Sequence, residues 1–284
     1  MAFLFYFERM KFVLVNGKLE STEGPSDFVR DHSYRYGDGL FETMKVKNGV
    51  IAYADDHFER LFSGIELLKF RPSIQFTKEM LAEQILDLCR NNKCDRLARV
   101  RLSLSRGGGG LYDCDNNMAY AIECWPLKEN LAQLNENGLE MDIFPDARKS
   151  CDKFSNIKSA NYLPHVMAAV WARDNNLNDA FVLNQYGHIC DATISNVFWI
   201  KQGVIFTPPL SEGCIAGVVR KKILRSQIQS EGFLVKESIM TERDLFDAEE
   251  VFLTNVISGI RWVKRCRDTS YTNRVSSSIF PGLF

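Results

Sequence analysis

Lys158 sits in the run Phe154-Ser155-Asn156-Ile157-Lys158-Ser159-Ala160-Asn161-Tyr162-Leu163-Pro164, in an apolar and aromatic setting just ahead of a helix pattern. Burial and the positive end of a helix dipole both disfavour a charged amine. A lysine of lowered pKa is what Schiff-base or general-base chemistry needs. Most lysines are exposed, so spacing alone also fits a solvated surface lysine. A second candidate is the turn Glu212-Gly213-Cys214-Ile215-Ala216-Gly217-Val218-Val219-Arg220, which leads straight into a helix pattern. There the amides of Val218 and Val219 would point at a common spot suited to phosphate. An ordinary loop with glycines for tight turns fits the same residues. Arg60, off the apolar stripe of its helix, and Arg106, ahead of a glycine run, are candidate anion ligands that also read as solvated charges.

Other chemistries find less support. The glycine run 107–110 is neither a Walker nor a dinucleotide motif, because Tyr112 replaces the last glycine of GxGxxG and no Lys-Ser/Thr follows. The four histidines, His32, His57, His165 and His188, show no metal-ligand spacing, and no metal is expected. The eight cysteines are scattered without a CxxC pair, which reads as reduced thiols in a cytoplasmic protein. A formal net charge of -1 lacks the positive field that nucleic-acid affinity needs, so any anion site is local. The opening apolar run is ended by Glu8 and Arg9, too short for a membrane span or a leader, and residues 1–9 read as an upstream start or an extra arm.

Several elements must position these residues. With 284 residues, of which 45% are hydrophobic and 25% charged, the chain has room for about two folded domains. Phe12 to Val15 reads as a strand ended by Asn16-Gly17, a hairpin signal. A second run, Leu40 to Val46, follows the turn Tyr36-Gly37-Asp38-Gly39 and returns through Asn48-Gly49. Phe58, Leu61, Phe62, Ile65 and Leu68 form the stripe of an amphipathic helix for which Asp55 and Asp56 offer caps, and a second helix is expected over about 78–91. Leu97 to Ser105 and Met118 to Cys124 read as strands around the glycine loop. Pro126 and the polar run after it make a linker, giving domains 1–126 and 138–284 joined by 127–137.

The second half opens with a strand over 139–144 and a basic loop at Arg148 and Lys149. A helix is expected over 161–173, starting just after Lys158, with Pro164 in its first turn, where a missing N–H costs little. Hairpins follow over 180–191 and 197–207. A helix from 218 to about 229 and a strand at 251–254 complete the pattern.

Taken in order, these residues resemble the fold-type IV pyridoxal-phosphate enzymes, which include branched-chain and D-amino-acid aminotransferases and aminodeoxychorismate lyase. The resemblance rests on Tyr36-Gly37-Asp38-Gly39-Leu40-Phe41-Glu42-Thr43, His57-Phe58-Glu59-Arg60-Leu61 and Lys158-Ser159-Ala160-Asn161-Tyr162. It continues through 191–198, Gly217-Val218-Val219-Arg220 and Phe252-Leu253-Thr254-Asn255. It implies an α+β, two-domain fold with a smaller N-terminal α/β domain and a larger C-terminal pseudo-barrel, working as a homodimer on a small amino substrate. It further implies pyridoxal 5'-phosphate held by Lys158, with Tyr162 on its phenolic oxygen and Arg60, Val218, Val219 and Thr254 on its phosphate. Asp191 stands where the family usually has a glutamate against the ring nitrogen. Asp is one methylene shorter, and a carboxylate there keeps the ring an electron sink.

Within the family two reactions share such a site. Ser105-Arg106-Gly107-Gly108-Gly109-Gly110-Leu111-Tyr112 and Ser195-Asn196-Val197-Phe198-Trp199 resemble the lyase, which converts 4-amino-4-deoxychorismate to 4-aminobenzoate and pyruvate for folate synthesis. The resemblance therefore favours the lyase over an aminotransferase acting on branched-chain or D-amino acids with 2-oxoglutarate. Arg106, Tyr36 and Glu42 are the expected substrate residues, Arg106 because a planar guanidinium takes a carboxylate at two points. Arg99 and Arg101 alternate with Val100 and Leu102, so one strand face is expected to be basic.

Overall fold

A computed structural model of the chain describes residues 12–21, 31–114, 116–129, 133–225 and 232–283. The arm 1–9, residues 130–132 of the expected linker and residues 226–229 of the expected helix lie outside the described residues. The chain divides into two compact units: among the described residues, one holds 12–129 with 157–162, the other 133–156 with 163–283. Residues 157–162, which the sequence places in the second domain, therefore pack with the first. Among the described residues no helix is long and apolar enough to cross a membrane.

The first unit is built on an antiparallel sheet of six strands. β1 (Phe12–Val15) turns into β2 (Lys18–Ser21) through Asn16 and Gly17, whose φ angles of 47° and 80° match the twist of a tight hairpin. The short helix α1 (His32–Tyr36) ends on Gly37 in the left-handed region and delivers the chain into β3 (Leu40–Lys47) and β4 (Val50–Ile51). β3 pairs with β5 (Leu97–Ser105) over its whole length, and β5 with β6 (Ala119–Pro126). Ala98, Val100, Leu102 and Leu104 of β5 are buried on one face, while the residues between them, Arg99 and Arg101 included, are half-buried on the other. Helices α2 (Ala54–Leu67) and α3 (Lys78–Asn91) cover the apolar face, so that Leu61, Ile65, Leu81, Ile85 and Leu88 join Met44, Val46 and Ile122 in one core. Each such side chain contributes about 1.5–3 kcal/mol of transfer free energy. Thr77 caps α3 by accepting from the Met80 amide. Asp55 and Asp56 lie within the first turn of α2 rather than capping it; Tyr53, with φ of 55°, occupies that place.

The second unit is a curled nine-stranded sheet. Its strands are β7 (Leu139–Lys149), β8 (Asp179–Asn184), β9 (Ile189–Ala192), β10 (Asn196–Lys201), β11 (Val204–Thr207), β12 (Leu234–Glu237), β13 (Glu250–Asn255), β14 (Gly259–Cys266) and β15 (Thr269–Ser270). They run β12-β11-β10-β13-β14-β7-β8-β9, with β15 on β14, and β9 packs beside β10, curling the sheet into a half-barrel. All six residues of β8 are buried because both its faces are covered. Phe181 and Leu183 enter the core with Trp199, Val251 and Leu253, while Ala180 and Val182 meet Ala168 and Ala172 of α4 (Leu163–Asp174). Helices α5 (Val218–Arg225), α6 (Glu242–Phe246) and α7 (Arg274–Ile279) complete the unit.

Two expectations change here. β7 does not stop at Phe144: it bulges so that residues 144–147 face Val182 alone, then resumes pairing at Arg148 and Lys149. The expected basic loop is thus strand, and Lys149 is buried. Helix α4 begins only at Leu163, which leaves Lys158 outside its first turn, where a helix dipole acts.

Candidate active site

Residues 157–162 run along the start of β3. The Phe41 amide donates to the Lys158 carbonyl at 2.9 Å, the Ala160 amide donates to the Gly39 carbonyl at 2.7 Å, and Leu40 bridges Ser159. This backbone pairing fixes Lys158, whose Nζ lies 4.6 Å from the centre of the Phe41 ring and 5.4 Å from that of Tyr162. The two rings meet edge to face at 5.6 Å. Because side chains alternate along β3, Phe41, Thr43 and Lys45 share a face; Arg101 stands opposite Thr43, Arg99 opposite Lys45, and Glu123 opposite Arg101. The Arg101 guanidinium lies 4.0 Å from the centre of the Phe41 ring, so one ring touches both Arg101 and Lys158. Burial pushes Arg99 and Arg101 below their ordinary values and Glu123 above its own; guanidinium groups nonetheless stay charged. Arg99 Nε is buried without a hydrogen-bond partner among the described residues. The basic face read from the alternation is present, and it is the face that carries Lys158.

On the opposite face Glu42 points into the core at 1% exposure. Its carboxylate accepts from Arg60 Nε at 2.7 Å and Nη2 at 2.5 Å, and lies 2.7 Å from His57 Nδ1. Burial alone would raise its pKa, but Arg60 and His57 outweigh burial and hold it down to about 2. Glu42 is therefore a positioning residue for Arg60, in place of the expected substrate contact: its oxygens are engaged inside the unit.

Arg106 is likewise reassigned. Nε donates to Asp38 at 2.6 Å, Nη2 to the Leu68 carbonyl at 2.9 Å and Nη1 to Asn116 at 3.4 Å, while the guanidinium lies over Phe70 at 4.5 Å. Asp38 also meets His32 at 2.9 Å, and Tyr36 packs on the His32 ring at 4.5 Å. Arg106 ties the glycine loop to α1 and to the end of α2, so that its Nε and Nη2 are engaged inside the unit in place of the expected substrate contact. Tyr36 is 45% exposed, so its ring remains open to a ligand.

In the second unit Asp191 is buried on β9 amid donors. Lys149 Nζ donates at 2.8 Å, Asn196 Nδ2 at 3.1 Å and the Ile215 amide at 3.0 Å, with His165 Nε2 at 3.6 Å. Burial opposes the carboxylate, but Lys149 and His165 prevail and lower its pKa; Asp191 in turn raises that of Lys149 against the same burial. The cation partner was missed by the sequence reading because Pro145-Asp146 interrupts the strand pattern just before it. Asn196 also donates to the Ile215 carbonyl at 2.8 Å, holding the turn before α5. The Asn156 side chain donates to the Cys214 carbonyl at 2.7 Å, and the Ala216 amide donates to the Asn156 carbonyl at 3.0 Å.

That turn passes so close to Asn196 that a Cβ on Gly217 would lie 1.9 Å from Asn196 Oδ1, so only glycine fits. Val218 and Val219 then open α5, which packs against β13. On β13, opposite Asn196, the Thr254 hydroxyl is buried with no hydrogen-bond partner among the described residues. A buried orphan hydroxyl costs about 1–3 kcal/mol. Thr254 lies on the strand against which α5 packs.

The family model for amino-transferase class IV matches residues 39–266. A Methanocaldococcus jannaschii protein assigned as a branched-chain-amino-acid aminotransferase is 31% identical, over 87% of this chain and 85% of its own. An aminodeoxychorismate lyase of Vibrio harveyi is 28% identical, over 87% and 88%. Among solved structures, the branched-chain amino acid aminotransferase of Escherichia coli superposes with a TM-score of 0.86 at 23% identity, covering 97% of this chain and 95% of that one. Residues 39–266 contain each element described above that carries a candidate ligand except Tyr36, and the chain belongs to the class IV aminotransferase family of pyridoxal-phosphate-dependent enzymes.

Proposed function

We propose that this chain is a lyase that converts 4-amino-4-deoxychorismate to 4-aminobenzoate and pyruvate. The observation that carries this reading is the pair Arg99 and Arg101 on the face of the first sheet that also carries Lys158. The substrate carries two carboxylates, and two half-buried guanidinium groups on one face suit such a pair. Similarity to the Vibrio harveyi lyase supports the same choice.

The residues present fit pyridoxal phosphate. In the first unit Lys158 would offer the amine, Tyr162 a phenol beside it, and Arg60, oriented by Glu42, a phosphate contact. In the second, taken by itself, Asp191 would offer a buried carboxylate for the ring nitrogen, and Thr254, with an orphan hydroxyl, and the amides of Val218 and Val219 would take the phosphate. When bound, the cofactor supplies a carbonyl for the substrate amine and a ring that takes up an electron pair. Lys158 then carries the proton away from the substrate ring carbon that bears the amine, and Phe41 and Tyr162 keep its amine directed to one face. Arg101 and Arg99 hold the carboxylates so that the bond to the departing enolpyruvyl group stays aligned. The working form is a homodimer in this proposal, and it is read by sedimentation of the loaded enzyme.

A second reading, transamination of branched-chain amino acids with 2-oxoglutarate, is favoured by the 31% identity to the Methanocaldococcus jannaschii protein. A side-by-side assay decides: 4-aminobenzoate and pyruvate release from aminodeoxychorismate against amine transfer from leucine, glutamate and D-alanine. Release well above any transfer supports the lyase, and transfer alone overturns it.

A further inference from the structure

The fold brings Cys124 onto a pair of cysteines, Cys89 and Cys94, of which Cys94 lies 30 positions earlier. Cys89 is in the last turn of α3, Cys94 in the turn that follows, and Cys124 on β6, and all three are buried. Their sulfurs lie within 4.8 Å of one another, with Cys94 Sγ 3.5 Å from Cys124 Sγ. We propose that Cys89, Cys94 and Cys124 form a three-coordinate thiolate site for a soft, closed-shell metal ion of the cadmium, zinc or copper(I) kind.

The geometry is close to what such an ion needs. With metal–sulfur bonds of about 2.3 Å, a trigonal site has sulfurs about 4.0 Å apart, and the separations of 3.5 Å and up to 4.8 Å bracket that value. No histidine, aspartate, glutamate or further cysteine joins the three among the described residues, so a closed tetrahedral cage is not built and a sulfur-only, three-ligand site is. The frame is held by its own bonds. The Cys94 amide donates to the Cys89 carbonyl at 2.9 Å across Lys93, whose φ is 57°. Asn92 Nδ2 donates to the Phe12 carbonyl at 3.1 Å and lies 3.3 Å from Cys124 Sγ.

Binding a divalent ion releases three protons as three thiols become thiolates, leaving a net charge of one negative unit. The Asn92 amide faces that charge. Access runs through the turn rather than the core, because Asn91, Lys93 and Asp95 beside the cluster are exposed.

The test uses the reduced full-length chain under nitrogen, titrated with cadmium chloride and read by the ultraviolet thiolate-to-cadmium charge-transfer band. Four forms are compared: wild type, a Cys114→Ser/Cys151→Ser control that removes the two half-buried thiols, and separate Cys94→Ala and Cys124→Ala variants. One cadmium per chain is expected, unchanged in the control and bound at least tenfold more weakly in either alanine variant. Should the alanine variants fail to fold, the cadmium-113 chemical shift of the loaded wild type counts the sulfurs directly, with three expected. A band lost in the control, a band kept in Cys94→Ala or Cys124→Ala, a count of two sulfurs, or no bound cadmium overturns the proposal. So does a Cys94–Cys124 disulfide whose reduced form has no affinity for the ion.

Discussion

Replacing Glu42 with Gln removes the charge that orients Arg60 while keeping the size of the side chain. The carboxylate is 1% exposed and sits at about 2 where an unperturbed glutamate is 4.5. At about 1.4 kcal/mol for each tenfold change in proton affinity, that depression corresponds to about 3 kcal/mol of stability at neutral pH. A depressed carboxylate contributes fully above its unfolded value and loses the contribution as pH falls toward its folded value. About 1.4 kcal/mol therefore remains at pH 3, within the window from 4.5 to about 2. The assay is urea unfolding of wild type and Glu42→Gln at pH 7 and pH 3, followed by far-ultraviolet circular dichroism. The variant is expected to be less stable by about 3 kcal/mol at pH 7, with the gap narrowing by more than half at pH 3. In the same variant Arg60 loses its charged partner and one of the two acceptor oxygens, so affinity for pyridoxal phosphate falls as well. A gap below about 0.5 kcal/mol at pH 7, the size of an ordinary surface substitution, or one that does not narrow with acid, refutes the buried Glu42–His57–Arg60 arrangement.

Thr254→Val removes an orphan hydroxyl, so the cofactor-free protein is expected to gain about 1 kcal/mol in thermal unfolding while its affinity for pyridoxal phosphate drops about tenfold; a loss of stability would show that the hydroxyl has a partner. Lys149→Met strands the buried Asp191 carboxylate and is expected to cost about 3–5 kcal/mol at pH 7. Asp191→Asn added to Lys149→Met should recover part of that loss in the same urea melts. Arg101→Met is expected to raise KM at least tenfold with the melting temperature within a few degrees of wild type. Arg106→Met is expected to do the reverse, lowering the melting temperature through the lost Asp38 and Leu68 contacts with KM little changed. If Arg106 proves to be the KM residue, the basic face beside Lys158 is not the substrate's.

Local pattern carried much of the fold into view, because the alternation of Leu97 to Ser105 and the stripe Phe58, Leu61, Ile65 depend only on neighbours a few positions away. The helix from Lys78 and the hairpin at Asn16-Gly17 are legible for the same reason. What depends on distant partners is not. Arg106 looked like a substrate clamp because Asp38, 68 positions earlier, gives no sign in the sequence that it will take the guanidinium. Lys149 looked like a surface charge because the bulge over 144–147 hides the return of β7. Glu42 looked available because its face of β3 is set by pairing with β5 and by packing under α2, neither of which local spacing fixes. The glycine at 217 was legible as a turn residue, but its contact with Asn196 was not. The order of motifs pointed to Lys158, Tyr162 and the turn before α5 as candidates; the Phe41 ring shared by Lys158 and Arg101, and the approach of Cys124 to Cys89 and Cys94, exist only once strands are paired.

Lys158 is proposed here as the lysine that holds pyridoxal phosphate. The most direct measurement is borohydride reduction of the cofactor-loaded protein, followed by peptide mass mapping of the label. A single phosphopyridoxyl group is expected on the peptide containing Lys158, with loss of the yellow absorbance, and no label in Lys158→Ala. Label on another lysine such as Lys149, or none in a folded wild-type protein saturated with the cofactor, would contradict it.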